Sequence, residues 1–430
     1  MQMAKDEEIQ MRKRNMKLFP TYKKIAGDYL FYYTIDFLFL TQIKHISPAD
    51  VVLATSIKSL FGIFLQIPAN IIVEFLGRKN SIILGNILNC IYMVMFMACN
   101  SLFDLTLAKF VSSLATSIKK IAEPTLLNAS IPSSKYKSNI FAKITAKGEK
   151  GYYITGALSR MVAGLLFGIN GYLPIICSLA VLVIVTIIST FYIEPIKKQK
   201  DKKYKFDIGK QIKNIGEGFK FIITSERLKA LILAAALINS LLNILLDYQT
   251  SLWQEVGVPA YSIGFIAAVI SLSSAYASKK QQSFHNKFRN RAIMTIALMA
   301  SISTIISGIA GLGAKQFQFL LAVIALSFII ERFAHGMYYT IIDRYIRNFT
   351  NKEIDTKIFA VKNLSVDMIS AIAGIMASFL LNKTSTAYSM IVVGTVFTII
   401  YILMGKYMKE RVGLKPEQYS KYERKYDELN

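Results

Sequence analysis

Residues 172–193 read YLPIICSLAVLVIVTIISTFYI, and no Asp, Glu, Lys or Arg interrupts them. The hydrocarbon core of a bilayer is about 30 Å thick, so a helix needs about 20 apolar residues to cross it. Eleven further apolar runs occur along the 430-residue chain. The predicted spans are 27–44, 49–74, 80–100, 103–131, 149–168, 172–193, 228–248, 259–279, 292–312, 316–343, 358–381 and 385–405. The sequence therefore predicts an all-α membrane protein with twelve transmembrane helices.

Composition excludes several other classes of protein. The net charge of +24 is compatible with nucleic-acid binding, but the Lys and Arg residues lie in short loops between apolar runs. Cys90, Cys99 and Cys177 lie inside apolar runs and have neither metal-site nor disulfide spacing. The three histidines cannot form a His-Glu-x-x-His metal site, and no Walker-type glycine loop occurs. We therefore expect no enzyme activity, no metal, no cofactor and no nucleic-acid partner.

The loop charges predict the orientation in the membrane. Almost all Lys and Arg residues outside the spans fall on the side of the N-terminal tail, and the opposite loops hold only Lys44, Lys315 and Lys383. The positive-inside rule then places both tails, 1–26 and 406–430, in the cytoplasm. The charged N-terminal tail lacks the apolar core of a cleaved signal peptide. Abundant Lys, Ile and Asn hint at an AT-rich bacterial genome, so we expect the plasma membrane of a bacterium (the inner membrane).

The longest interruption, 194–227, divides the chain into halves of six predicted helices each, 27–193 and 228–405. Its second part carries apolar residues at spacings of three and four, namely Ile208, Ile212, Ile215, Phe219 and Ile222. This amphipathic helix is expected either to lie on the membrane surface or to pack against the bundle. Two such halves predict a central cavity with the substrate site at their interface, near the membrane midplane.

The loop between spans two and three reads NIIVEFLGRKNSI over residues 70–82. It resembles the signature loop of the major facilitator superfamily, Gly-x-Leu-Ala-Asp-Arg-x-Gly-Arg-Lys-x-x-Leu. Glu74 stands at the acid position, and Gly77, Arg78 and Lys79 match outright. The first Gly and the first Arg of the pattern are replaced, by Asn70 and Phe75. Span six closes with Glu194-Pro195, which the family also often has at that place.

The resemblance implies a secondary transporter that alternates between inward-open and outward-open states. It implies that Glu74 faces the N-terminal end of span eleven, near Lys357, and that Arg78 bridges to this acid. Such contacts would hold the cytoplasmic side shut. The alternative is that Arg78 and Lys79 only set the topology. In the family's arrangement, helices 1, 2, 4, 5, 7, 8, 10 and 11 line the cavity.

Charged side chains inside the spans are the candidates for function, because a lone charge at the bilayer centre costs about 2.5–3.5 kcal/mol. All of them fall on helices that the resemblance assigns to the cavity. A carboxylate in a partly dry cavity can take up and release a proton, so the proton-coupling candidates are Asp36, Glu331 and Asp367. The candidates for cavity or substrate contact are Lys58, Lys109, Lys120, Glu123, Arg160, Asn239, Asn243, Tyr248, Gln249, Arg332 and His335.

Each candidate also has a structural alternative. The carboxylates can form permanent salt bridges, and the pairs considered are Asp36–Lys58, Arg332–Asp367 and Glu331–Arg160. His335 is expected to be a hydrogen-bonding residue of the cavity rather than a proton relay. Tyr248 and Gln249 can be interfacial anchors rather than substrate contacts.

The leading functional prediction is transport of a small organic solute by alternating access, coupled to protons. Export is slightly favoured by the glycines of span five, Gly156, Gly164 and Gly168. One alternative is proton-coupled uptake of an organic anion, which the positive cavity residues suggest. The other is a membrane sensor that kept the fold without transport. The expected partners are the solute, protons and the lipid bilayer, and the expected oligomeric state is a monomer.

Overall fold

The computed structural model describes residues 2–27, 29–33, 35–132, 137–194, 209, 216–217, 220–348 and 355–411. These residues are mostly helical and form no β-strand. The α-helices are α1 (Gln2–Ala26), α2 (Ile35–Leu38), α3 (Pro48–Ala98), α4 (Leu102–Ser130), α5 (Lys137–Ile169), α6 (Leu173–Thr190), α7 (Glu226–Glu255), α8 (Ala260–Phe288), α9 (Ala292–Gly313), α10 (Phe319–Asn348), α11 (Asp355–Lys383) and α12 (Thr386–Arg411). A π-helix covers Phe39–Ile43 and a 3₁₀ turn covers Arg289–Arg291. Of the predicted linker stripe, Ile222 is buried, and four residues lie outside the described part of the chain, namely Ile208, Ile212, Ile215 and Phe219.

Nine of the described helices, α3 and α5 to α12, are long and apolar enough to cross a membrane. α3 has 51 residues, and at about 1.5 Å per residue it is long enough to cross twice. Its two parts meet at Gly77, whose φ of 80° and ψ of 169° are not helical. Glycine adopts a positive φ without steric cost, so the chain can bend there. The prediction of an all-α, multi-pass membrane protein is thereby confirmed.

Apolar side chains are exposed on the surfaces of these helices. On α6, Ile176, Val183, Ile184 and Ile187 are all about half exposed. Contiguous apolar surface of this kind is rare on soluble monomers. Exposed apolar surface of this kind is what a membrane-spanning helix presents to lipid.

The first span differs from the predicted helix 27–44. α1 ends at Ala26, residues 30–33 form turns, and the helix resumes only at Ile35. α1 packs against the other helices before this break, because Asn15 donates to Ser130 Oγ at 3.0 Å and Tyr22 is fully buried. Hydropathy does not reveal this packing, since α1 buries one narrow stripe and exposes Lys and Arg elsewhere.

The chain forms two compact units, defined by contacts between Cα atoms. The first comprises the described residues of 1–46, 61–207 and 260–265. In it α1 packs along α5 and contacts α4 and α6, around a core that includes Phe19, Tyr22 and Leu126. The second unit comprises the described residues of 47–60, 208–259 and 266–430. In it α9 packs against α10 and α12, and α7 packs against α11.

Candidate functional site

A buried polar cluster lies in the second unit, where α7 contacts α10. Glu331 on α10 is 1% exposed. Its Oε2 accepts a hydrogen bond from the side-chain amide of Gln249 and lies 3.5 Å from Nε of Arg332. The Arg332 guanidinium also donates to Gln249 Oε1, at 3.1 Å. An acid, a base and an amide thus form a closed triangle, which we call the Glu331 cluster.

One atom of the Glu331 cluster is unsatisfied. Glu331 Oε1 is buried and accepts no hydrogen bond from any described residue. A buried polar group without a partner costs roughly 1–3 kcal/mol, and more when it is charged. A proton on this oxygen, or a donor group of a bound solute, would satisfy it. The predicted residue His335 follows one turn later on α10, half-buried, with its ring 5.5 Å from the ring of Tyr339.

A second set of polar contacts fixes α7 against α10 and α11. Asn239 donates to Ser370 Oγ at 3.2 Å and accepts a hydrogen bond from the Tyr339 hydroxyl at 3.1 Å. Tyr248 is buried, and its hydroxyl donates to the carbonyl of Ala377 at 2.8 Å. In this structure Tyr248 therefore packs one helix against another, whereas Gln249, its neighbour in sequence, joins the Glu331 cluster.

The other predicted residues of this unit are less enclosed. Asn243, Asp367 and Lys58 are all half-buried. The predicted pairs Asp36–Lys58 and Glu331–Arg160 join residues of different units and stay predictions.

In the first unit, tyrosines surround the break in the first span. The Tyr29 hydroxyl donates to Asn89 Oδ1 at 2.7 Å, and the Tyr32 hydroxyl is hydrogen-bonded to the Tyr92 hydroxyl. Asp36 comes directly after the break, and its backbone amide donates to the Tyr32 carbonyl at 2.9 Å. Asp36 itself is half-buried. A carboxylate therefore lies directly after an irregular stretch of backbone in the first unit.

Glu123 on α4 belongs to a network of ion pairs and hydrogen bonds. It is 5% exposed and accepts hydrogen bonds from the Tyr22 hydroxyl and from Lys23 Nζ, both at 3.0 Å. Lys119 Nζ lies 3.6 Å from Glu123 Oε1, the oxygen that also accepts from Tyr22. The sequence analysis placed Lys23 in the N-terminal tail. It named the exposed Lys120 as a cavity residue, whereas the neighbouring Lys119 is the one that contacts Glu123. The last turn of α1, before Ala26, packs against α4, but its lysines lower the hydropathy, so the sequence did not predict this packing.

Lys109 on α4 differs from these paired charges. It is 5% exposed, and it forms neither an ion pair nor a hydrogen bond with the described part of the chain. Arg160 on α5 is half-buried and likewise has no ion pair among the residues that the structure describes.

The signature loop is anchored by the acid that closes span six. The backbone amide of Lys79 donates to Glu194 Oε2 at 2.7 Å, and Arg78 Nη1 lies 3.5 Å from Oε1. A Cβ at Gly77 would lie 3.5 Å from the same carboxylate. Glu74 is exposed and makes no ion pair with a described residue. The resemblance implied that Arg78 bridges to Glu74, and the structure places Glu194 there instead.

Comparison with known proteins supports the same kind of fold. The family model described as Major Facilitator Superfamily matches residues 25–326. No curated protein matches the chain. Among solved structures, the nucleoside transporter NupG has 14% sequence identity and a TM-score of 0.68, over 93% of this chain and 99% of that one. A bacterial homolog of the human lysosomal transporter Spinster, inward-facing and unoccupied, has 15% identity and a TM-score of 0.67, over 94% and 99%. A D-xylose-proton symporter has 12% identity and a TM-score of 0.64, over 93% and 97%.

Proposed function

Since the chain belongs to the major facilitator superfamily, a family of secondary transporters, we propose that it moves a small organic solute across a bacterial plasma membrane by alternating access, coupled to protons. Both termini lie in the cytoplasm in this proposal, because the loops of that side carry almost all the Lys and Arg residues.

Twelve spans in two six-helix halves are part of the proposal. Because α3 is long enough to cross twice, the nine candidate helices supply ten spans. α4 has 29 residues, enough to cross, although five charged residues lower its hydropathy, namely Asp104, Lys109, Lys119, Lys120 and Glu123. The inner part of α1, the break and the π-helix supply the remaining crossing. Irregular backbone is tolerated at membrane depth where protein surrounds it, as the tyrosines do here.

The observation that carries proton coupling is the unsatisfied oxygen of Glu331. As a carboxylate, Glu331 is stabilised by Arg332 and Gln249. If Arg332 turned toward a solute, the carboxylate would lose its cation, and protonation would become the less costly state. Protonation would in turn leave Arg332 free to bind. Solute and proton would then bind together and leave together, which is the linkage that symport requires.

Lys109 favours an organic anion as the solute. A buried cation without a partner is expensive, and in membrane proteins such residues mark substrate pathways. An anionic group bound at Lys109 would remove that cost. Of the glycines that favoured export, Gly164 has a packing role in the first unit, since a Cβ there would lie 2.9 Å from the carbonyl oxygen of Tyr261. Since the exchange at Glu331 is a symport, uptake of an organic anion with protons is the direction that this mechanism favours, and export is the second candidate.

Proteoliposomes with an imposed pH gradient test the proposal. Pooled metabolites and drugs are offered to the native protein, to Glu331→Gln, and to the control Glu149→Gln, which changes an exposed carboxylate on α5. We expect the native protein and the control to accumulate at least one solute, and Glu331→Gln to lose gradient-driven accumulation while it still exchanges solute. Absence of solute and proton movement for every pool would contradict the proposal. Accumulation by Glu331→Gln at the native rate would assign the coupling to Asp36 or Asp367.

A further inference from the structure

α1 carries a basic groove on the face opposite to its buried stripe. The groove has a volume of about 470 Å³, and its described lining consists of Gln10, Lys13, Arg14, Lys17, Leu18 and Thr21. Lys13, Arg14 and Lys17 are exposed. None of the three forms an ion pair with a described residue. Three cations therefore line one concave surface, and no carboxylate of the described residues neutralises them.

Two contacts place this groove at the edge of an apolar surface. The guanidinium carbon of Arg14 lies 6.0 Å from the centroid of the Phe191 ring, just beyond the end of α6. The next residue of α1, Asn15, donates through its side-chain amide to the carbonyl of Ile193 at 2.7 Å. Phe191 is 50% exposed, and the preceding turn of α6 exposes Ile187 at 53%. The cations thus stand where the acyl-facing surface of α6 ends.

We propose that the groove binds the headgroup of an anionic phospholipid, with the acyl chains along α6. A phosphate diester fits the charge of Lys13, Arg14 and Lys17, since guanidinium and ammonium groups bind phosphate by charge-assisted hydrogen bonds. Clusters of basic residues beside a membrane helix have this affinity in general. The exposed ring of Phe191 and the side chain of Ile187 supply contacts that only a ligand with acyl chains can use. A soluble phosphate would leave that apolar surface uncovered.

The location also follows from the proposed orientation. Asn15 of α1 contacts Ile193 at the end of predicted span six, which is the cytoplasmic end of that span in the proposed topology. The inference does not need transport to be proton-coupled, because it rests on the groove and on α6 alone.

Native mass spectrometry of the purified full chain tests the site. The protein in detergent is titrated with phosphatidylglycerol, with phosphatidylcholine, and with glycerophosphate, which shares the headgroup chemistry but has no acyl chains. The test variant is Lys13→Gln/Arg14→Gln/Lys17→Gln. The matched control is Lys143→Gln/Lys147→Gln/Lys150→Gln, which removes three exposed lysines from α5 and so the same charge. A second variant, Phe191→Ser, keeps the charges and removes the apolar contact.

Each cation near an anionic lipid contributes about 1 kcal/mol, so loss of three lowers affinity on the order of 100-fold. We expect this loss for the groove variant, a change of less than about threefold for the α5 control, and an intermediate loss for Phe191→Ser. Phosphatidylcholine and glycerophosphate should bind weakly to all proteins. The proposal is overturned if the α5 control loses as much affinity as the groove variant, because binding would then follow net charge alone. It is equally overturned if glycerophosphate binds as tightly as phosphatidylglycerol.

Discussion

Replacing Arg332 by Gln removes the cation beside a carboxylate that is almost completely buried. The two side chains are 13% and 1% exposed, and their charged atoms lie 3.5 Å apart. Removing one partner of a buried ion pair costs roughly 3–5 kcal/mol. Protonation limits the loss, because neutralising an ordinary glutamate with a pKa of about 4.3 at pH 7 costs about 4 kcal/mol. We therefore expect Arg332→Gln to lower the free energy of unfolding by about 3–4 kcal/mol.

A double-mutant cycle separates this effect from loss of packing. In Glu331→Gln/Arg332→Gln, amides replace both charged groups, and they can hydrogen-bond to each other and to the amide of Gln249. The double variant should therefore be more stable than Arg332→Gln alone, with a coupling energy of about 2 kcal/mol or more. The deficit of Arg332→Gln should shrink in mildly acidic buffer, since a protonated carboxyl group needs no cation. The control is Arg344→Gln, at an arginine on the same helix as Arg332; it removes an exposed hydrogen bond to Gln282 of α8 and should cost less than about 1 kcal/mol.

The chain supplies its own probe for this measurement. Trp253 is the single tryptophan; it lies one turn after Gln249 and packs against Phe328, with ring centroids 5.5 Å apart. Its fluorescence during unfolding in detergent reports on the helices that carry the Glu331 cluster. The reasoning is refuted if Arg332→Gln is as stable as the native protein and the effects of Glu331→Gln and Arg332→Gln are additive. The Glu331–Arg332 pair would then contribute no stability, and the proposed transfer of Arg332 from Glu331 to a solute would have no basis.

Three further outcomes follow from other parts of the structure. Lys109→Gln should weaken transport of an anionic solute at least tenfold without loss of stability, because the lysine has no described partner to lose; unchanged affinity would remove Lys109 from the pathway. Glu194→Gln should raise hydrogen exchange at the Lys79 amide roughly tenfold, since a charge-assisted bond is lost, and an unchanged exchange rate would argue against this anchor. Gly264→Val should lower the thermal midpoint by forcing α5 and α8 apart at a cost of about 1–3 kcal/mol, because a Cβ there would lie 2.8 Å from Cα of Gly164. The control is Gly168→Ala, because a Cβ at Gly168 would make an ordinary contact with Tyr261, at 3.9 Å. Equal thermal midpoints for the two variants would contradict the close packing of α5 against α8 at Gly164.

Hydropathy was sufficient for those helices whose surfaces contact lipid. α6 and α9 have no charged residue, and both were predicted to within a few residues. The same signal failed for α1, because a helix that packs inside a bundle and exposes Lys and Arg on its other face has low mean hydropathy. The break after Ala26 was also not predicted, since the tyrosines that fill it are apolar enough to continue the run.

The candidate site was predicted by residue type but not by partner. Glu331, Arg332 and Gln249 were all identified, because charge and amide groups in apolar runs are unusual. Their mutual contact could not be inferred, since Gln249 and Glu331 are 82 positions apart. For the same reason the signature loop suggested Glu74 as the partner of Arg78, whereas the acid in contact is Glu194, far along the chain. Long-range pairing depends on how helices pack, which a single sequence does not contain.

Infrared difference spectroscopy tests the central claim most directly, because it detects the carbonyl stretch of a protonated carboxyl group. Spectra of the native protein in lipid are compared between alkaline and mildly acidic buffer, with and without a transported solute, and then repeated for Glu331→Gln. The account predicts a protonated-carboxyl band that grows when the solute binds and is absent from Glu331→Gln. A band that persists unchanged in Glu331→Gln would show that another group carries the proton.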